Sequence, residues 1–255
     1  MIEVRDLRKV FKLTRRQKKE LGKTATNGTV EAVAGISFTC QPGRVFSLLG
    51  PNGAGKTTTL RLIATMLKPT AGSIKIHGFD TTQAPLEIRR RIGFLTGSTG
   101  LYDRLTATEL VKYYADLHDM DSQLYKQRRD EIFERLGMKE FANRRIAKLS
   151  TGMRQKVSIA RTIIHDPEVV IFDEPTAGLD LISARSIIDL IREFRQQGKT
   201  VLFSTHIMGE VSLLSDDLAI IHKGKLCYHG AYPAFVQQMK TKSLEDEFIR
   251  FVEEA

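Results

Sequence analysis

Ten residues, GPNGAGKTTT (50–59), constrain this chain more than any other segment. They fit G-x-x-x-x-G-K-[ST] through Gly50, Gly55, Lys56 and Thr57. The residues before them, RVFSLLG (44–50), form a short apolar run of the kind found in a strand buried on both faces. The residues after, KTTTLRLIATML (56–67), have helical periodicity and stop before Pro69. Strand, glycine-rich turn and helix in that order let backbone N–H groups wrap a phosphate. Gly50, Gly53 and Gly55 allow the amides to turn inward without Cβ clashes. The helix start adds partial positive charge. Lys56 can reach the β- and γ-phosphates, and the Thr57 hydroxyl can ligate Mg²⁺.

A second segment gains meaning beside the first. VVIFDE (169–174) is an apolar run ending in two acids. Alone it reads equally well as a strand end with solvated carboxylates. With a phosphate loop upstream, Asp173 is placed to hold the Mg²⁺ shell and Glu174 to orient and deprotonate an attacking water.

Around these motifs, strands alternate with helices: a helix over 151–165, the carboxylate strand, a helix over 183–197, the strand TVLFS (200–204), a short helix and the strand LAIIH (218–222). That order predicts a parallel α/β sheet covered on both faces. Residues 2–11 alternate loosely, as an edge strand does, and 31–40 reads as another strand. Residues 85–150 are helical in pattern, and SLEDEFIRFVEEA (243–255) reads as an acidic amphipathic helix. Charge is uneven. Residues 1–28 carry nine Lys/Arg against three Asp/Glu, and the other 227 carry thirty against twenty-seven. The basic stretch RRQKKELGK (15–23) reads as a solvated loop, with a surface for anionic headgroups or an acidic partner as the alternative. This clustering is unlike the spread of a nucleic-acid groove. Cys40 and Cys227 stand in no metal-ligand spacing and read as reduced thiols. No run approaches the ~18 apolar residues of a membrane span. The start, MIEVRDLRKVF, lacks the apolar core of a signal peptide. The expectation is a cytosolic chain whose membrane role, if it has one, comes through a partner.

Further segments fall in a fixed order: LSTGMRQK (149–156), PTAGLD (175–180) and FSTH (203–206). With the phosphate loop and carboxylate strand they resemble the ATP-binding-cassette (ABC) ATPases over nearly the whole chain. The wording of the signature and of TGSTGLYDRLT is most similar to ATPase subunits of bacterial exporters of the sodium-extrusion and multidrug (ABC-2) type. The resemblance implies a P-loop NTPase (RecA-like) core with an N-terminal antiparallel β subdomain, over about 1–92 and 151–235. It places an inserted α-helical subdomain over about 93–150 and a C-terminal helix over 236–255. It implies ATP and Mg²⁺, with Asn52, Ala54 and Thr58 belonging to the phosphate cradle, Phe11 stacking on adenine and His206 touching the γ-phosphate and the water of Glu174. Ser150, Thr151, Gly152 and Met153 would meet ATP held by a second copy of the chain, and Asp180 would act across that interface. A separate membrane permease would complete an exporter, peripheral on the cytoplasmic face. Na⁺, a drug or a lipid-like molecule remain open as substrate. A cassette acting on nucleic acid or ribosomes is disfavoured, because no coiled-coil insertion or second cassette is seen.

The chain departs from the family in two places. Thr151 and Met153 stand where the signature usually has Gly and Gln. In IGFLTGSTGLYDRLT (92–106), Gly97 stands where the family places a glutamine that reaches Mg²⁺ and water. This stretch reads as the hinge into the helical subdomain, with Thr96, Ser98 or a water taking the missing contact.

Overall fold

The computed structural model describes residues 1–13, 28–96 and 100–253. Two sheets organise them, and burial along the strands tells the sheets apart. The first holds β1 (Ile2–Lys12), β2 (Thr29–Cys40), β4 (Ala71–Ile76) and β5 (Phe79–Asp80), all antiparallel, in the order β2-β1-β4-β5. Ile2, Val4 and Leu7 point into the core, while Arg5 and Asp6 are exposed. β1 pairs on both sides and is therefore internal, not the edge strand its alternation suggests. Alternation reports one solvated face, which an internal antiparallel strand shares with an edge. The basic segment 15–23 lies outside the described residues. At its base Leu13 N donates to Gly28 O at 2.9 Å.

The second sheet has the order β10-β9-β3-β8-β7-β6. Its strands β3 (Val45–Leu49), β7 (Val169–Asp173) and β8 (Thr200–Thr205) are buried at every residue, as continuous apolar runs between two helical layers should be. β6 (Ile92–Thr96) and β9 (Asp217–His222) join them in parallel, and β10 (Lys225–Ala231) returns antiparallel on β9. The start expected for the helical segment, 93, falls inside β6, which belongs to this sheet.

Helices cover the sheet. They are α1 (Lys56–Ile63), α2 (Pro85–Arg91), α5 (Thr151–Ile163), α6 (Leu181–Gln196) and α7 (Met208–Leu214). Between β6 and α5 lie α3 (Ala107–Leu117) and α4 (Ser122–Arg135). A capping box starts α3: Glu109 N donates to Thr106 Oγ1 at 3.2 Å, and Thr106 N to the Glu109 carboxylate at 2.8 Å. Asp121 is a simple N-cap for α4, accepting from Gln123 N at 2.7 Å. Phe172 and Phe203 turn one face of the six-stranded sheet toward α5 and α6, while Phe46 turns the other toward the antiparallel sheet and stacks on Phe38 at 5.0 Å. At the far end α8 (Tyr232–Gln238) and α9 (Leu244–Glu253) pack Phe235 and Phe251 over Tyr228 of β10. Both cysteines are free thiols. Among the described residues no helix is long and apolar enough to cross a membrane.

Candidate functional site

The phosphate loop leaves β3 and opens α1 under tight steric control. At Gly55 φ is +108°, and a Cβ there would lie 2.4 Å from the Ala32 carbonyl of β2. At Gly50 a Cβ would lie 2.3 Å from the Ile221 carbonyl of β9. Only glycine admits this approach of loop to strands. Gly224 N donates to Ala54 O at 2.9 Å, and Ala34 N to Gly224 O at 2.8 Å, tying the loop to the β9–β10 turn and to β2. Pro51, Asn52, Gly53, Ala54, Gly55, Lys56, Thr57 and Thr58 line one cleft with Ala32 and Glu174. Lys56 is buried, and its Nζ donates to Gly50 O at 2.7 Å and Pro51 O at 3.2 Å. The same Nζ lies 3.3 Å from Glu174 Oε1.

Parallel pairing brings three polar strand ends together. Thr96 of β6 stands opposite Asp173 of β7, and Asp173 opposite Ser204 of β8. Ser204 Oγ donates to Asp173 Oδ1 at 2.7 Å, and Thr57 Oγ1 donates to the same oxygen at 3.0 Å. Thr96 Oγ1 lies 3.5 Å from Oδ2. Glu174 has φ +48°, a left-handed conformation costing a non-glycine residue about 1–3 kcal/mol and typical of functional sites. Its N–H faces Ser204, with the carbonyl oxygen at 3.2 Å and Oγ at 3.1 Å. Glu174 Oε2 lies 3.3 Å from His206 Nδ1, so the carboxylate stands between an ammonium and an imidazole. Sequence reasoning passed over Ser204. Its signal was a hydroxyl pair, Ser204-Thr205, ending an otherwise apolar strand.

The remaining candidates form a second group. Ser150 caps α5, its Oγ accepting from Met153 N at 3.3 Å, and Thr151 is exposed at the first helical position. A Cβ on Gly152 would meet Ser183 Oγ at 3.2 Å and Asp180 Oδ2 at 3.9 Å. Asp180 caps α6, accepting from Ser183 N at 2.9 Å and Ser183 Oγ at 2.8 Å. These bonds, the backbone one first, hold its carboxyl below the usual range. Among the described residues no hydrogen bond joins this group to Lys56, Thr57, Asp173, Glu174 or His206. Leu181 and Ile182, beside Asp180, are 89% and 82% exposed, so this end of α6 presents an apolar surface. Phe11 is exposed on β1 opposite Val30, two residues from the Ala32 that touches the loop, with Lys9 Nζ 5.3 Å from its ring. Gly97 and Ser98 lie outside the described residues.

Comparison with known proteins places this geometry in a family. The ABC transporter model matches residues 33–177. The ABC transporter ATP-binding protein NatA of Bacillus subtilis (strain 168) is 44% identical over 221 residues, which is 86% of this chain and 90% of NatA. The linearmycin resistance ATP-binding protein LnrL of the same strain is 34% identical over 199 residues, 78% of this chain and 64% of LnrL. Among solved structures, the dimeric post-hydrolysis state of the ATP-binding cassette MJ0796 bound to ADP and Pi gives a TM-score of 0.79 at 25% identity. That match covers 91% of this chain and 98% of the other.

Proposed function

The chain belongs to the ABC transporter family as an ATP-binding subunit and is an ATPase, and on that premise we propose that two copies close on two ATP molecules to drive export through a separate membrane permease. Each ATP would lie between the phosphate loop of one copy (Gly50, Asn52, Gly53, Ala54, Gly55, Lys56, Thr57, Thr58) and Ser150, Thr151, Gly152 and Met153 of the other. Phe11 would stack on adenine, and Asp180 would act across the interface. What supports the interface is the apolar, exposed start of α6 beside Asp180 and Gly152. The chain would sit on the cytoplasmic face of the membrane, held by the permease, with no nucleic-acid partner.

The position of Glu174 carries the catalytic reading. Its carboxylate is held between Lys56 and His206 and follows directly on Asp173. In the reaction it takes a proton from the water that attacks the γ-phosphorus, as the bond to the bridging β–γ oxygen breaks and ADP leaves. His206 steadies Glu174 and donates toward the γ-phosphate. Phosphate oxygens compete with Gly50 O, Pro51 O and Glu174 for Lys56 Nζ, which frees the carboxylate for the water. Thr57 Oγ1 and Asp173 Oδ1, 3.0 Å apart, offer hard oxygen donors of the kind that hold Mg²⁺ alongside phosphates. Mg²⁺ bound there would neutralise phosphate charge. Na⁺ is the proposed export substrate on resemblance. A drug or lipid-like substrate is the second reading, supported by the linearmycin resistance named for one relative.

Glu174→Gln is expected to trap an ATP-bound dimer, seen as a shift to twice the mass on size exclusion with ATP. Hydrolysis at the wild-type rate by that variant would remove Glu174 as the base. Co-expression with the candidate permease is expected to move the chain into the membrane fraction. Recovery bound to RNA or DNA instead would overturn the transporter reading.

A further inference from the structure

Glu210, in the first turn of α7, is a buried carboxylate with no part in the chemistry above. Its Oε2 accepts from Thr205 Oγ1 at 2.6 Å, and its Oε1 accepts from Thr176 Oγ1. Thr205 Oγ1 itself accepts from Ile207 N at 3.0 Å. Thr205 and Ile207 flank His206, and Thr176 lies two residues beyond Glu174. One carboxylate is therefore bonded to both backbone segments that carry the 3.3 Å Glu174–His206 contact.

The chemistry of the group argues for more than packing. Burying a carboxylate costs several kcal/mol before its hydrogen bonds are counted, and an apolar side chain of similar volume would hold a helix to a sheet without that cost. An ionised carboxylate only accepts, so both threonine hydroxyls must donate to it. That fixes the direction of each hydroxyl and leaves the Thr205 oxygen free to receive the N–H of Ile207, bracing the turn from which His206 projects. On the other side, Glu174 holds a left-handed backbone, which persists only where neighbouring structure over-determines it. Ser204 holds that residue at its N–H, and Thr176, anchored by Glu210, holds the chain just beyond it.

We propose that Glu210 is a positioning residue that sets the Glu174–His206 pair by joining the two segments that carry it. This rests on the assignment of Glu174 as base and His206 as its partner, and the test separates the two ideas. Steady-state ATPase is measured on the full chain with Mg²⁺ and ATP for the wild type, Glu210→Ala, Glu210→Gln, His206→Ala, the Glu210→Ala/His206→Ala double variant and Glu174→Gln. Glu210→Ala is expected to lower kcat about tenfold or more and to leave KM for ATP within about threefold, since a misplaced catalytic pair costs rate rather than binding. Glu210→Gln, which can accept from one hydroxyl and donate to the other, is expected to recover most of that loss. In the His206→Ala background Glu210→Ala should cost less than about twofold more, because both act through one contact. Thr176→Val, which cuts one side and leaves Thr205 paired, should lower kcat in the same sense and covers the case in which Glu210→Ala does not fold. Wild-type kcat in Glu210→Ala or Thr176→Val, or a full additional loss on top of His206→Ala, overturns the proposal while Glu174→Gln stays inactive. A Glu174→Gln variant as active as wild type instead removes the base assignment, and the positioning role with it.

Discussion

His165 should make the stability of this protein depend on pH in a way one substitution isolates. The residue follows α5, and its ring stacks on His118, which follows α3, at 3.7 Å with 8° between the planes. Its Nε2 lies 3.0 Å from the Ile92 carbonyl, which can only accept, so Nε2 carries the hydrogen and Nδ1 a lone pair. Nδ1 is buried with no hydrogen-bond partner among the described residues. Protonation there would create a buried cation beside a second imidazole and near Arg128. Burial first, and then His118, lowers the pKa from 6.5 to about 4, against the opposing pull of the Ile92 carbonyl and Asp166. Between those values the unfolded chain binds a proton that the folded chain refuses. Stability is therefore whole above pH 6.5 and is lost as pH falls toward about 4. At about 1.4 kcal/mol per pH unit, the interval is worth about 3 kcal/mol. Urea unfolding of wild type and His165→Gln from pH 7.5 to pH 4 reads it directly. The advantage of wild type over the variant should shrink by about 3 kcal/mol across the range, almost all of it below pH 6.5. Parallel stability curves for the two proteins would refute the argument.

Two other substitutions probe separate parts of the fold. Ser204→Ala removes the 2.7 Å donor to Asp173 and the oxygen facing Glu174 N–H. It should cost about 1–2 kcal/mol in denaturant unfolding and lower kcat more than it raises KM, and unchanged kcat would exclude Ser204 from the site. Glu247 accepts from Lys240 N, Thr241 N and Thr241 Oγ1 at 3.0–3.1 Å and pairs with Arg250, which above all holds its pKa down at about 2. Its contribution is complete above pH 4.5 and lost as pH falls toward 2, so Glu247→Gln should flatten the acid limb of the urea midpoint against pH. Coincident limbs would show that the Glu247 carboxylate does not stabilise the C-terminal helices.

What was legible in the sequence is what short-range spacing dictates. The phosphate loop is a strand, a turn and a helix within a few residues, and Gly53 and Gly55 answer to the positive φ of the turn itself, although the carbonyls that crowd Gly50 and Gly55 come from β9 and β2. The carboxylate strand ends where its acids begin. The α/β fold follows from alternation along the chain. Long-range register was not legible. Ser204 meets Asp173 across 31 residues and Glu210 meets Thr176 across 34, contacts that exist only once β8 lies beside β7. The same holds for β1, whose pattern could not tell one solvated face from one free edge, and for the hairpin of β9 and β10 with α8 above it. β6 was divided because its apolar run is short and leads directly into a glycine-rich segment.

β6 is an edge strand of the six-stranded sheet and, among the described residues, pairs only with β7. The chain leading to α3 and α4 departs from its end, at Thr96, 3.5 Å from an oxygen of Asp173. Thr57 and Ser204 grip the other oxygen of that carboxylate from α1 and β8. Those helices also share one apolar core with α5, Phe172 of β7 and Phe203 of β8, so a push or pull delivered through them would reach the sheet through that core as well as through the β6–β7 ladder. In mechanical terms Asp173 is gripped on both of its oxygens, and a displacement of β6 against β7 would register as a change in the distance between Thr96 and Asp173.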